Sequence, residues 1–166
     1  VVASDVSGVG TVRKATTAAA YGGDKGIFGF GENGDGAKIS ISNLVTNVGV
    51  IGSDVSGVGT ARENLAAAEY GGDKAIFGFG STGGAAGKVS MTNLVSNSGV
   101  VASDVSGVGT NRGTLGASSY GGDKGIFAFG VLASGAGNTN LKNLVNNSGV
   151  VAADVTGVGT ARYGVA

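Results

Sequence analysis

The sequence predicts an all-β tandem array: a β-propeller-like series of four-stranded blades of about 50 residues each, with a β-solenoid as the alternative. Three observations carry this. The segment SDVSGVGT begins at Ser4, Ser53 and Ser103 and returns as ADVTGVGT at Ala153, spacings of 49, 50 and 50. Short stretches of period-two alternation lie between glycine-rich turns. Glycine supplies 35 of the 166 residues, and there is no proline.

The same period carries Arg13, Arg62, Arg112 and Arg162, the YGGDK turns opened by Tyr21, Tyr70 and Tyr120, the Phe pairs from Phe28, Phe77 and Phe127, and NLV at Asn43, Asn93 and Asn143. The repeat units are therefore approximately 11–59, 60–109 and 110–159, with partial, overlapping unit ends at 1–10 and 160–166, all within one repeat array.

Within a unit, ARENLAAAEY (61–70) reads as a first strand running into the YGGD turn. A helical turn is the weaker reading, because the counterparts KATTAAAY and TLGASSY carry Thr, Ser and Gly. KAIFGFG (74–80) alternates with Ile76 on one face and Phe77 and Phe79 on the other. KVSMTNLV (88–95) and the β-branched GVVASDV (99–105) supply two further strands. Solenoid rungs repeat at about half this period or less, and no half-period repeat is visible.

Three blades are fewer than the four or more of a closed propeller, so closure is expected from association or from further repeats. Two copies would supply six blades. Residues 1–13 duplicate 150–162, and this duplicated segment is expected to act as a clasp between copies.

Composition narrows the chemistry. Without His or Cys there is no imidazole acid/base, thiol nucleophile, disulfide or Cys/His metal site. Eleven basic residues balance eleven acidic ones, which gives no electrostatic case for nucleic acid. No apolar run approaches the roughly 18–20 residues that cross a bilayer, and VVASDVSG shows neither a basic nor an apolar leader region. Glu occurs only at Glu32, Glu63 and Glu69, with no matched pair for glycosidase chemistry. The expectation is a non-enzyme without cofactor or metal.

GFGENG (29–34) and GFGSTG (78–83) satisfy G-x-G-x-x-G, but each leads into another strand rather than a helix, and AFGVLA breaks the pattern. ENGDG (32–36) offers oxygen ligands for Ca²⁺, yet its counterparts carry no carboxylate and a solvated turn is expected. The loops ENGDGAK, STGGAAGK and VLASGAGN vary between units, and variable loops on a constant scaffold are where selectivity resides.

Repeated charge argues for scaffold, since a lock between blades is needed at every blade. Asp5, Asp54, Asp104 and Asp154 are expected to accept hydrogen bonds from a nearby turn or from the repeated Arg residues, fixing adjacent blades; a ring of charge around a channel is the alternative. Tyr21, Tyr70 and Tyr120, with the Phe pairs, are expected to fill the core between blades; exposed, the same Tyr would form a sugar-stacking platform.

The stretch TARENLAAAEYGGDKAIFGFG (60–80) resembles a kelch repeat: an Arg in a small-residue turn, an alanine-rich inner strand, a Gly-Gly turn and an aromatic strand ending in glycine. The likeness covers about half of each unit. Phe79-Gly80 stands where kelch repeats have a double glycine, and their outer-strand Trp is missing. The order GVVASD then IFGFG is similar to propeller repeats of the chromosome-condensation-regulator type. Both likenesses imply a propeller and neither implies a substrate. The near-identical, Gly/Ala-rich, His-free units also resemble repeats of virus-encoded virion proteins of the tail-fibre sort.

Together these readings predict a structural repeat protein that associates with itself or with other structural proteins of a particle, on a virion or extracellular surface. The alternative is a lectin-like or receptor-binding module taking a surface glycan.

Overall fold

The computed structural model describes residues 7–165; Asp5 and the first six residues of the duplicated segment 1–13 lie outside them. The fold is all-β, with several small antiparallel sheets that do not close into a barrel.

The first unit comprises β1 (Arg13–Lys14), β2 (Thr17–Tyr21), β3 (Lys25–Gly29), β4 (Glu32–Asn33) and β5 (Ser42–Val45). The second contributes β6 (Ala66–Tyr70), β7 (Lys74–Gly78) and β8 (Thr92–Val95). The third has β9 (Arg112–Gly113), β10 (Gly116–Tyr120), β11 (Lys124–Ala128), β12 (Val131–Leu132), a single 3-10 turn (Ala133–Gly135) and β13 (Lys142–Val145). Each unit forms one three-stranded meander, β2-β3-β5, β6-β7-β8 and β10-β11-β13. The YGGD turns close the hairpins because two consecutive glycines take positive φ there, Gly71 at 64° and Gly72 at 78°.

Two expected strands are shorter than the sequence suggests. In 61–70 the strand begins only at Ala66, because Asn64 sits in the left-handed region (φ 54°). Its N–H is thereby turned to the carbonyl of Ala15 in the preceding unit. Asn64 in turn accepts from Thr114, and Thr114 from Gly164, so one ladder of backbone bonds links all three units and residues 160–165.

In 99–105 only Val101 and Val105 bridge to β8. Their registers, Val95 to Val101 and Thr92 to Val105, differ by one residue, and the carbonyl of Ala102 bonds the Asn93 side chain instead of the ladder.

The three meanders stack face to face and approach one another most closely along β2, β6 and β10. Two cores fill the joints. Tyr21, Ile27, Phe30, Leu65, Ala75, Phe77 and Val95 lie between the first and second sheets. Ala66, Ala68, Tyr70, Ile76, Phe79, Leu115, Phe127 and Val145 lie between the second and third.

Phe77 and Phe79 thus serve opposite joints rather than the one face expected from period two. β7 ends at Gly78, and Phe79 has φ 62°, which rotates its ring through to the other side. Phe30 and Phe129 repeat this conformation at 60° and 66°.

At each joint the ring of one sheet lies over a glycine of the other. A Cβ built on Gly78 would stand 2.7 Å from Phe127 Cζ, and one on Gly29 2.8 Å from Phe77 Cζ. Gly78→Ala is therefore expected to cost about 1–3 kcal/mol by overpacking, read as a lower Tm. Gly34→Ala, with nothing within 4 Å, serves as the unaffected control.

Candidate functional site

The repeated charged residues converge on one cluster per unit. In the second unit, the backbone N–H and hydroxyl of Thr60 donate to Asp104 Oδ2 at 2.9 and 2.7 Å. Asn93 Nδ2 donates to Asp104 Oδ1 at 2.9 Å. Arg62 reaches the cluster from below: Nη2 donates to Asn93 Oδ1 at 2.7 Å, Nε to the Phe79 carbonyl at 2.8 Å and Nη1 to the Thr60 carbonyl at 3.1 Å.

The third unit repeats these bonds with Thr110, Asp154, Asn143 and Arg112. In the first unit Thr11, Asn43 and Asp54 are bonded alike, and Arg13 Nη2 donates to Asn43 Oδ1.

This places the Asp and Arg roles differently from the expected lock. Each Asp joins the first residues of its own unit to that unit's last segment, so it closes a unit instead of fixing two together. Arg62 Nη1 and Asp104 Oδ1 are 3.8 Å apart, too far for a hydrogen bond.

The Arg residues do the bridging, through their faces. The Arg62 guanidinium lies 4.4 Å above the ring of Phe30 in the preceding unit, Arg112 4.1 Å above Phe79, and Arg162 4.1 Å above Phe129. Phe30 also meets Phe77 edge to face at 5.3 Å, and Phe79 meets Phe127 at 5.2 Å.

Arg62 and Arg112 are fully buried. Burial lowers each guanidinium pKa to about 10, against a partly opposing pull from Asp104 and Asp154. Both stay charged at neutral pH. For Asp104 burial disfavours the anion, but bonds from Thr60 and Asn93 outweigh it and hold the carboxyl below its ordinary range; Asp154 behaves alike through Thr110 and Asn143. Asp54, bonded by Asn43 and Thr11, is lowered too.

The aromatic set divides by position in the array. Tyr21 and Tyr70 are buried in the joints, as are Phe77 and Phe127, while Phe28 and Tyr120 are exposed at its two ends. A row of stacking platforms is therefore not presented, since two of the three rings are covered.

In the ENGDG loop, Glu32 is engaged by Lys14 at 2.8 Å and by Lys38, and their hydrogen bonds hold its carboxyl at about 2. Lys38 also reaches Glu63 of the second unit at 3.1 Å. Asn33 Oδ1 accepts from the backbone N–H groups of Asp35 and Ala37, which shapes the loop from within. The hairpin tips are tied by Asp73–Lys74 and Asp123–Lys124 pairs and by Gly22 and Gly71 N–H donating to the carbonyls of Asp73 and Asp123 in the next unit.

Asn43, Asn93 and Asn143, and Thr11, Thr60 and Thr110, are central members of the clusters to which the sequence reading assigned no role. Their signal was present, because NLV and SGVGT repeat with the same period as Asp and Arg. The arrangement braces a unit and joins it to its neighbour.

No protein-family model matches the chain, and no curated protein matches it.

Two outcomes are expected. Replacing Arg62 by Leu leaves Asn93 Oδ1 and the Phe79 carbonyl unpaired at a buried site and costs about 3–5 kcal/mol in denaturant unfolding; Arg13→Leu, half-buried and with no ring beneath it among the described residues, costs less. Because folding lowers the carboxyl pKa values of Asp54, Asp104 and Asp154, their stabilisation is complete above the unfolded-state value near 4 and is lost as pH falls through the lower folded values. A Tm series from about pH 5 to pH 2 should therefore decline, with a shallower decline in Asp104→Asn.

Proposed function

We propose that this chain is a non-enzymatic structural repeat protein that assembles through the open faces of its stacked sheets, with copies of itself or with other structural parts of a larger particle such as a virion tail or appendage. One observation carries the reading. The ends of the array expose the same residues that its joints bury: Phe28 is 40% exposed where Phe77 and Phe127 are at 0%, and Tyr120 is 40% exposed where Tyr21 and Tyr70 are at 3% and 4%. An unpartnered copy of an interface is an interface in waiting.

Support also comes from the outer segments, where Val50, Val100 and Val150 stand exposed at equivalent positions of the three units. The closest approach of the sheets along β2, β6 and β10 favours a propeller-like fan, kelch-like in its alanine-rich inner strands, with three blades leaving the ring open. The extracellular or virion setting rests on the near-identical, Gly/Ala-rich units.

Light scattering with crosslinking on the intact chain tests the reading. A discrete dimer or larger assembly at micromolar concentration is expected. A compact monomer at every concentration would overturn self-assembly.

A further inference from the structure

The two ends of the array are not equivalent, and the difference lies in a few residues whose positions the internal joints define. Call the face of a sheet that meets the next unit its forward face, and the one that meets the preceding unit its back face. Ala68 and Tyr70 lie on the forward face of the second sheet, in the core shared with the third; Ala67, Ala75, Phe77 and Val95 lie on its back face, in the core shared with the first. Cα partners in an antiparallel pair share a face, so Thr92, opposite Gly78, also points forward.

On the forward face of the third sheet, Tyr120, Ile126 and Leu144 keep the identities of Tyr70, Ile76 and Leu94, but three other positions depart from the pattern that packs. Ser118 stands in the place of Ala68, which is buried. Ala128 stands in the place of Gly29 and Gly78, the two glycines that receive a Phe ring. Lys142, the Cα partner of Ala128, replaces Ser42 and Thr92, which are 3% and 4% exposed.

The chain's own residues 160–165 then lie across the inner part of this face. Gly130 N–H donates to the Arg162 carbonyl at 2.9 Å, Gly164 N–H to the Thr114 carbonyl at 3.0 Å, and Arg162 covers the Phe129 ring. A hydroxyl, a methyl in the ring seat, an ammonium and a strap of chain together make a terminal face. The hollow that remains there, about 430 Å³, is bordered by Ala128, Ser118 and Arg162.

The back face of the first sheet has none of these changes. Its strand positions Ala18, Ala20, Gly26, Phe28, Val45 and Ile51 carry no charge and no side-chain hydrogen-bonding group, and Asn43, the Cα partner of Phe28, shares the face with its amide bonded to Arg13, Gly52 and Asp54. It also carries both halves of the packing device used inside the array. Phe28 is the ring. Gly26, two residues away on the same face of β3 and so roughly 7 Å distant, is a bare glycine whose added Cβ would meet only Val45 and the Ala19 carbonyl, at 3.6 Å or more. A patch holding a knob and a hole side by side is complementary to itself about a two-fold axis, with each ring lying over the other copy's glycine.

We propose that the back face of the first sheet, centred on Phe28 and Gly26, is a self-docking surface whose occupant is the same face of a second copy. The forward face of the third sheet departs from the joint pattern at Ser118, Ala128 and Lys142, so the pairing joins two copies back to back. The proposal rests on the self-assembly reading above and specifies its surface.

Light scattering over a micromolar concentration series separates the two, using the intact chain and three full-length variants at exposed or open positions: Phe28→Asp, Gly26→Val and Tyr120→Asp. Thermal melts confirm that each variant is folded. The parent and Tyr120→Asp are expected at twice the chain mass. Phe28→Asp, which puts charge on the knob, and Gly26→Val, which fills the hole and improves strand propensity, are expected at the mass of one chain. A pair that survives either back-face change, a pair lost in Tyr120→Asp, or parent assemblies beyond two chains would overturn the proposal while leaving self-assembly standing. A monomeric parent would overturn self-assembly itself and this surface with it.

Discussion

An aromatic ring lying against a residue with no side chain decides how closely these sheets can stack, and the rest of each joint is arranged around that contact. Phe77 over Gly29 and Phe127 over Gly78 set the separation. With the first Phe of each pair committed to the unit behind, a second ring on the same strand face would compete for the same space. The left-handed turn at Phe30 and Phe79 resolves this by sending the second ring forward, under the next unit's Arg and edge-on to its Phe. A bulky residue in that conformation costs about 1–2 kcal/mol. Burying a Phe ring stabilises by about 1.5–3 kcal/mol, and the edge-on and cation–π contacts add about 0.5–1.5 and 0.5–2 kcal/mol. The kink is offset where following chain covers the ring, by the next unit at Phe30 and Phe79 and by Arg162 at Phe129.

The polar skeleton answers a different need. The register slip after β8 leaves bonds missing from the ladder that the outer segment of the second unit forms with it. Asp104 and Asn93 supply the missing ones, tying the segment to Thr60 at the start of the unit and to the carbonyl of Ala102. Burying Arg62 beside them is tolerable because its donors meet acceptors and its face meets a ring, so that the desolvation cost is offset locally. Unit closure by Asp and unit-to-unit contact by Arg are thus separate tasks that a sequence showing only a shared period merges into one.

The period itself and the central hairpins were legible, because alternation around YGGDK is a local signal with a local cause. The direction of the second Phe was not. Period-two reasoning assumes extended backbone throughout, and nothing adjacent to Phe79 except a following glycine announces a positive φ. The short outer strand was misjudged for a related reason: GVVASDV has strand composition, but the Asn93 side chain nine residues away takes the carbonyl that a ladder would use. Among the repeated aromatics, sequence treats Tyr120 as the equal of Tyr21, and only stacking order distinguishes them.

Near-identical units carry a hazard, since any unit could dock on any other with similar complementarity. Departures from the repeat are therefore where register is specified. Lys38 bridging Glu32 and Glu63 is seen among the described residues between the first and second units, and the next joint lacks both acids, with Ser81 in the place of Glu32 and Gly113 in the place of Glu63. A shifted pairing would leave Glu63 without Lys38, a penalty that the ring-and-glycine contact alone cannot impose. Ser118, Ala128 and Lys142 do the complementary task at the forward end, where a further unit would meet a methyl in the ring seat and a charge beside it. The parts of the sequence that repeat build the joint, and the parts that do not decide which joints can form.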